Sequence, residues 1–123
     1  MILVDTSIWV DYFRSGDQLL SYLLDRKQVL GHPFVFGELS LGSSRQRAEL
    51  VAQLVKLRSA EVARHEEVLR LIDAHALYGR GIGYVDVHLL ASAILTPDTQ
   101  LWSHDRRLNA AAEVLGVAAR IAH

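Results

Sequence analysis

Ile2-Leu3-Val4-Asp5-Thr6-Ser7 stands at the start of the chain, and its reading decides the fold. A short apolar run that ends in Asp-Thr-Ser describes a buried strand whose last residue opens onto a helix cap. Beyond it, Ile8, Trp9, Tyr12 and Phe13 share one helical face, Gly16 breaks that helix, and Leu19, Leu20, Leu23 and Leu24 repeat the helical spacing. Gln28-Val29-Leu30-Gly31 is a candidate second strand. Pro33 suits a helix start, so the spacing predicts a helix over 34–41 that ends at Gly42 and holds Glu38 in its middle. Ser43-Ser44 then leads into an amphipathic helix with Leu50, Val51, Leu54 and Leu57. A strand near Glu61–Ala63 is expected before a helix carrying Val68, Leu69, Ile72 and Ala76. Gly79-Arg80-Gly81-Ile82-Gly83 is a loop of unusual backbone freedom that leads to Asp86. Val85–Leu95, almost wholly apolar, describes a helix buried on most sides, and Gln100–Ser103 another strand, after which Asp105 opens the last helix.

Strands alternating with helices imply an α/β fold, a parallel sheet wrapped by helices, whose ligands bind outside the carboxyl ends of the strands. Asp5 and Asp105 each follow an apolar strand at that edge, and Asp86 begins a buried helix that can face the same crevice. The 123 residues, half of them apolar, suffice for one core, so a single domain over 1–123 is expected. No run of about eighteen apolar residues could span a bilayer, and Asp5 comes too soon for a signal peptide, so a soluble, cytoplasmic protein without membrane contact is expected. Cysteine is absent, which removes disulfides and thiolate ligation and leaves oxygen or imidazole for any metal. The histidines lack the spacing of a zinc site and read as structural, with His88 a hydrogen-bonded neighbour on its buried helix. Trp9 and Trp102 read as core or interface. With 13 basic and 14 acidic residues the net charge is −1, which by itself argues against a nucleic-acid partner. Local phosphate contacts remain open to Arg45, Arg47, Arg80, Arg106 and Arg107.

Each acid has a plain reading of its own. Asp5 and Asp105 are placed to cap helices, Asp86 to complement a helix dipole, and Glu38 to be an ordinary exposed helix residue. As a converging set they mean something else, because four like charges in one pocket repel by several kcal/mol unless protonated or neutralised by a cation.

Val-Asp-Thr-Ser at 4–7, Phe-Gly-Glu-Leu-Ser-Leu-Gly around Glu38, Val-Asp-Val-His-Leu-Leu-Ala-Ser-Ala around Asp86 and Ser-His-Asp at 103–105 resemble the motifs of PIN-domain ribonucleases, in particular the VapC toxins of toxin–antitoxin pairs. The likeness covers essentially the whole chain. It implies a PIN-like three-layer α/β/α fold with a parallel sheet of about five strands, order 3-2-1-4-5. It also implies a Mg2+-dependent endoribonuclease, Mn2+ being accepted too, that leaves 5′-phosphate and 3′-hydroxyl ends. By the same resemblance Asp5, Glu38, Asp86 and Asp105 are the catalytic set. Asp5, Asp86 and Asp105 are then the metal ligands, Glu38 orients water or a second ion, and Thr6 and Ser103 support the carboxylates from behind; Ser7 is placed to support or to cap. His104 adds a group able to approach phosphate. The partners implied are an RNA substrate, a cognate antitoxin and a second copy in a homodimer; Trp9, Tyr12 and Leu20 on the first two helices are candidate contact points, although core packing is the commoner fate of such residues. A receiver domain, the first rival, needs a lysine near the last strand, and the only lysines are Lys27 and Lys56. The second rival is a catalytically silent PIN-like domain that only binds protein.

Overall fold

A computed structural model describes residues 1–43 and 47–121, so Ser44, Arg45 and the Gln46 that follows lie outside the described residues. The chain runs β1 (Ile2–Val4), α1 (Thr6–Ser15), α2 (Gln18–Asp25), β2 (Val29–Leu30), α3 (Pro33–Ser40), α4 (Arg47–Leu54), α5 (His65–Ala74), α6 (Tyr84–Leu95), β3 (Gln100–Trp102) and α7 (Arg106–Val114). The opening hexapeptide behaves as its pattern dictates: Leu3 and Val4 are buried, and Asp5 turns the extended backbone into α1. Gly16 ends α1 at φ 78, a left-handed conformation that a side chain would disfavour. Pro33 occupies the first turn of α3, where its missing N–H costs nothing.

The three strands are parallel, in the order β2-β1-β3, with Leu3 opposite Leu30 on one side and Leu101 on the other. The chain leaves β1 to one side for β2 and arrives on the other as β3, so the carboxyl end of β1 is where the connections diverge and a crevice opens. Helices above and below give the three-layer arrangement. The expectation of about five strands in the order 3-2-1-4-5 is not met: among the described residues three strands form. Beyond them, Gly31 meets Ser59 and Leu101 meets Ala118 in isolated bridges. Pro33, already helical, stops β2 from extending, and Glu61 and Val62, where a strand was expected, are both exposed and offer no apolar stripe to pack. The helix expected through Leu57 ends at Leu54, and the one expected through Ala76 ends at Ala74.

The core joins the strands to α6, of which Val87–Ala93 are all buried. Trp9, Leu20 and Trp102 lie in this core, so of the two fates open to Trp9 and Leu20, contact point or core, they take the core. Among the described residues no helix is long and apolar enough to cross a membrane.

Two imidazoles are buried between α3 and α6. His32 Nδ1 accepts the Phe34 N–H at 3.1 Å, so Nε2 carries the proton and donates to Ser92 Oγ at 2.9 Å. His88 keeps its Nδ1 buried without a partner among the described residues, the ring resting against Phe34 at 4.3 Å between centroids. Burial, and then the nearby His88, lowers the His32 pKa to about 4; burial also lowers that of His88. Both rings are therefore neutral in the folded chain and protonate more readily when it unfolds. Their contribution to stability is present above pH 6.5, the ordinary histidine value, and is lost as pH falls from there toward about 4. Thermal unfolding at pH 5 is expected about 5 °C below that at pH 7.5, and an unchanged or higher midpoint at pH 5 contradicts this reading.

Candidate functional site

Asp5 stands at the N-cap position of α1 but makes no capping hydrogen bond with its side chain. Its carboxylate is instead held from the neighbouring strand end: Ser103 Oγ donates to Oδ2 at 2.7 Å and Ser7 Oγ donates to the same oxygen at 2.8 Å. Those hydroxyls are oriented in turn, Ser103 Oγ accepting the Asp105 N–H at 2.9 Å and Ser7 Oγ the His104 N–H at 3.1 Å. Asn109, one helical turn after Asp105, donates to the Ser103 carbonyl at 2.8 Å and fixes the same corner. The carboxyl ends of β1 and β3 are thus tied together around a buried acid.

Asp105 does cap its helix, Oδ1 accepting the N–H groups of Arg107 at 2.9 Å and Leu108 at 3.0 Å. Asp86 Oδ2 reaches back to accept the Gly83 N–H at 2.9 Å, which joins the glycine-rich loop to the first turn of α6. Glu38 is exposed on α3, and its Oε1 accepts the Thr6 hydroxyl at 2.7 Å. Each of the four carboxylates therefore commits one oxygen to the scaffold, while the other has no protein partner among the described residues.

Electrostatics show that the four share a neighbourhood. Burial raises the Asp86 pKa, the Gly83 N–H opposes that rise, and the charges of Asp5, Asp105 and Glu38 push it further up. No lysine or arginine among the described residues forms an ion pair with any of them. The donor chemistry, carboxylate oxygen throughout, suits a hard divalent ion. Their spacing is open, however: among the described residues no group of three or more His, Asp or Glu side chains is drawn together closely enough to hold a metal ion.

A cleft of about 450 Å3 adjoins Thr6 and Glu38, walled by Val10, Phe13, Leu39 and Leu50 with Arg14 at its edge. His104, expected to approach phosphate, places Nε2 3.1 Å from Asp11 Oδ2 on α1. Arg47 and Arg80 donate to the carbonyls of Ser40 and Ala76, and Arg45 lies outside the described residues.

The fold and these motifs coincide with a known family. Residues 2–114 match the PIN domain. This chain belongs to the PIN-domain family. Among curated proteins, Ribonuclease VapC32 from two strains of Mycobacterium tuberculosis is 45% identical over 118 residues, which span 96% of this chain and 95% of the relative. No solved structure matches.

In this PIN domain Thr6 donates to Glu38 and Ser103 donates to Asp5. Ser7, for which support and capping were both open, donates to Asp5, while Asn109 stood outside the expected set, although its spacing from Asp105 was a legible signal. Ser103→Ala removes the donor to buried Asp5 and the acceptor of the Asp105 N–H at once. It is expected to cost about 1–3 kcal/mol in denaturant unfolding and to slow any cleavage about 10–100-fold. A variant of unaltered stability and rate would show that this network does not position Asp5.

Proposed function

We propose that this chain is a metal-dependent endoribonuclease, the toxin of a toxin–antitoxin pair, hydrolysing RNA phosphodiester bonds at Asp5, Glu38, Asp86 and Asp105. The observation that carries the reading is the half-committed state of these acids: one oxygen of each is fixed by the scaffold, the other is unpartnered among the described residues, and the negative charge gathered around Asp86 is met there by no ion pair with lysine or arginine. Membership of the PIN family and likeness to a ribonuclease support it.

Asp5, Asp86 and Asp105 would hold Mg2+ or Mn2+. Such an ion keeps most of its waters and needs few protein carboxylates, which suits an open set. When bound, it supplies charge neutralisation at the phosphate and a lower pKa for attacking water. Ser7 and Ser103 hold Asp5 in one orientation, and Gly83 does the same for Asp86. Glu38, steadied by Thr6, has a free oxygen to orient a water and accept its proton. Water adds to phosphorus, the bond to the 3′ oxygen breaks, and the ends are 5′-phosphate and 3′-hydroxyl.

The apolar cleft beside Glu38 supports a protein partner of the antitoxin kind, and a homodimer in the cytoplasm completes the reading. A silent, protein-binding PIN-like domain is the second reading, favoured by the open carboxylate spacing. The experiment is incubation of purified chain with total bacterial RNA and Mg2+ or Mn2+, beside a chelated control and the Asp5→Asn/Asp86→Asn double variant of verified fold. Discrete fragments in the metal-containing wild-type reaction alone are expected. No cleavage with either metal moves the function to the silent domain.

A further inference from the structure

The glycine-rich loop before Asp86 carries a seat for an arginine. Gly81 has φ +75, and a Cβ built on it would collide with the Arg107 Nη1 and stand 3.0 Å from Cδ and 3.1 Å from Cζ. The Arg107 side chain, leaving the first turn of α7, therefore packs close against the backbone of Gly81, whose positive φ favours glycine. Both ends of this contact belong to the acidic site. The Arg107 N–H donates to Asp105 Oδ1 at 2.9 Å, and two residues beyond Gly81 the Gly83 N–H donates to Asp86 Oδ2 at 2.9 Å.

The guanidinium itself is uncommitted. Among the described residues its side chain makes no hydrogen bond and no ion pair, although four carboxylates lie in this part of the molecule, and its charge is not among the causes that set the Asp86 pKa. An arginine that only braced the fold would be expected to spend its five donors on carbonyls, as Arg47 and Arg80 spend theirs on Ser40 and Ala76. Arg107 is exposed, rests against Gly81, and leaves its fork of donors to solvent. Such a group is pre-organised for two parallel hydrogen bonds to a phosphate, with little side-chain entropy left to lose. It also answers the charge problem: a chain of net charge −1 with an acidic centre needs a local cation to hold a polyanion.

We propose that Arg107, seated on Gly81, anchors a phosphate of the RNA backbone next to the one that is cut, and so sets the register of the strand across Asp86 and Asp105. The inference rests on the nuclease reading. It assigns Arg107 to substrate positioning and assigns Gly81 to keeping the guanidinium in place.

The test measures binding of a fluorescein-labelled, mixed-sequence single-stranded oligoribonucleotide by anisotropy, without metal, across a salt series. The chains compared are wild type, Arg107→Ala, Arg107→Lys, Gly81→Ala and, as a charge-matched control at the opposite edge of the sheet, Lys27→Gln. Arg107→Ala is expected to weaken binding about tenfold and to reduce the magnitude of the salt slope by about 0.7. Arg107→Lys should restore the slope but not the full affinity, Gly81→Ala should weaken binding with the slope kept, and Lys27→Gln should match wild type. In parallel, Arg107→Ala is expected to raise KM for metal-dependent cleavage more than it lowers kcat, with unfolding unchanged. Equal affinity and slope in wild type and Arg107→Ala, in a preparation whose wild type cleaves RNA, overturns the anchor and leaves the nuclease standing. A wild type that neither binds nor cleaves RNA overturns both. Loss of binding in Lys27→Gln equal to that in Arg107→Ala overturns the anchor as well, because the effect is then one of net charge.

Discussion

Asp86→Asn is expected to lower RNA cleavage on the order of 10^3-fold while raising the thermal stability of the chain. The two effects have one origin. Burial and the charges of Asp5, Asp105 and Glu38 raise the pKa of Asp86 above that of the unfolded chain, so the ionised form is disfavoured in the folded state. A group of this kind favours folding at pH below its unfolded pKa and withdraws that support as pH rises through its folded value, so at neutral pH the carboxylate is a burden on the fold. Asparagine removes the charge, keeps an oxygen to accept the Gly83 N–H, and relieves the repulsion on its three neighbours. Added Mg2+ should reverse the order, stabilising the wild type through mass action and the variant much less. Calorimetric scans of both chains with and without Mg2+, with cleavage assayed on the same samples, check the pair. A variant that is both inactive and less stable would mean that Asp86 is a structural residue whose loss disturbs α6.

Leu3→Ala is expected to cost about 3–4 kcal/mol, the largest single stability effect anticipated outside the helices. Leu3 is wholly buried at the centre of the sheet, between Leu30 and Leu101, so truncation opens a cavity at a position paired with both neighbouring strands. The strand is only three residues long and cannot shift register without turning Asp5 to the wrong face. Denaturant unfolding should therefore report a lower midpoint at unchanged slope, with the thermal midpoint down by roughly 10–15 °C. A loss under about 1 kcal/mol would show that the core collapses around the deletion and that β1 is less constrained than its register indicates.

Local patterns in the sequence carried much of the layout. The apolar run before Asp5, the proline at the start of α3, the glycine that ends α1 and the uninterrupted apolar stretch of α6 each have a local cause, and each element lies where that cause puts it. The sheet edges were not legible, because pairing depends on what lies across the gap. Ser59 and Ala118 meet their neighbours at single bridges, and the strand expected near Glu61–Ala63 does not form. The acids divide in the same way. Capping by Asp105 is a local event and could be anticipated, whereas the release of Asp5 from capping depends on Ser103, 98 residues away in sequence. Spacing placed Glu38 on a helix, but nothing local marked its bond to Thr6. Nor could periodicity tell that the buried His88 would keep an unpartnered Nδ1.

The central claim is that Asp5, Glu38, Asp86 and Asp105 form one cation-binding centre, and its most direct test is calorimetric titration of the purified, metal-stripped chain with Mn2+. Saturable binding by the wild type, abolished in the Asp5→Asn/Asp86→Asn double variant and weakened in Asp105→Asn, is the predicted result. Absence of binding by a folded wild type, or equal binding by the double variant, would contradict it.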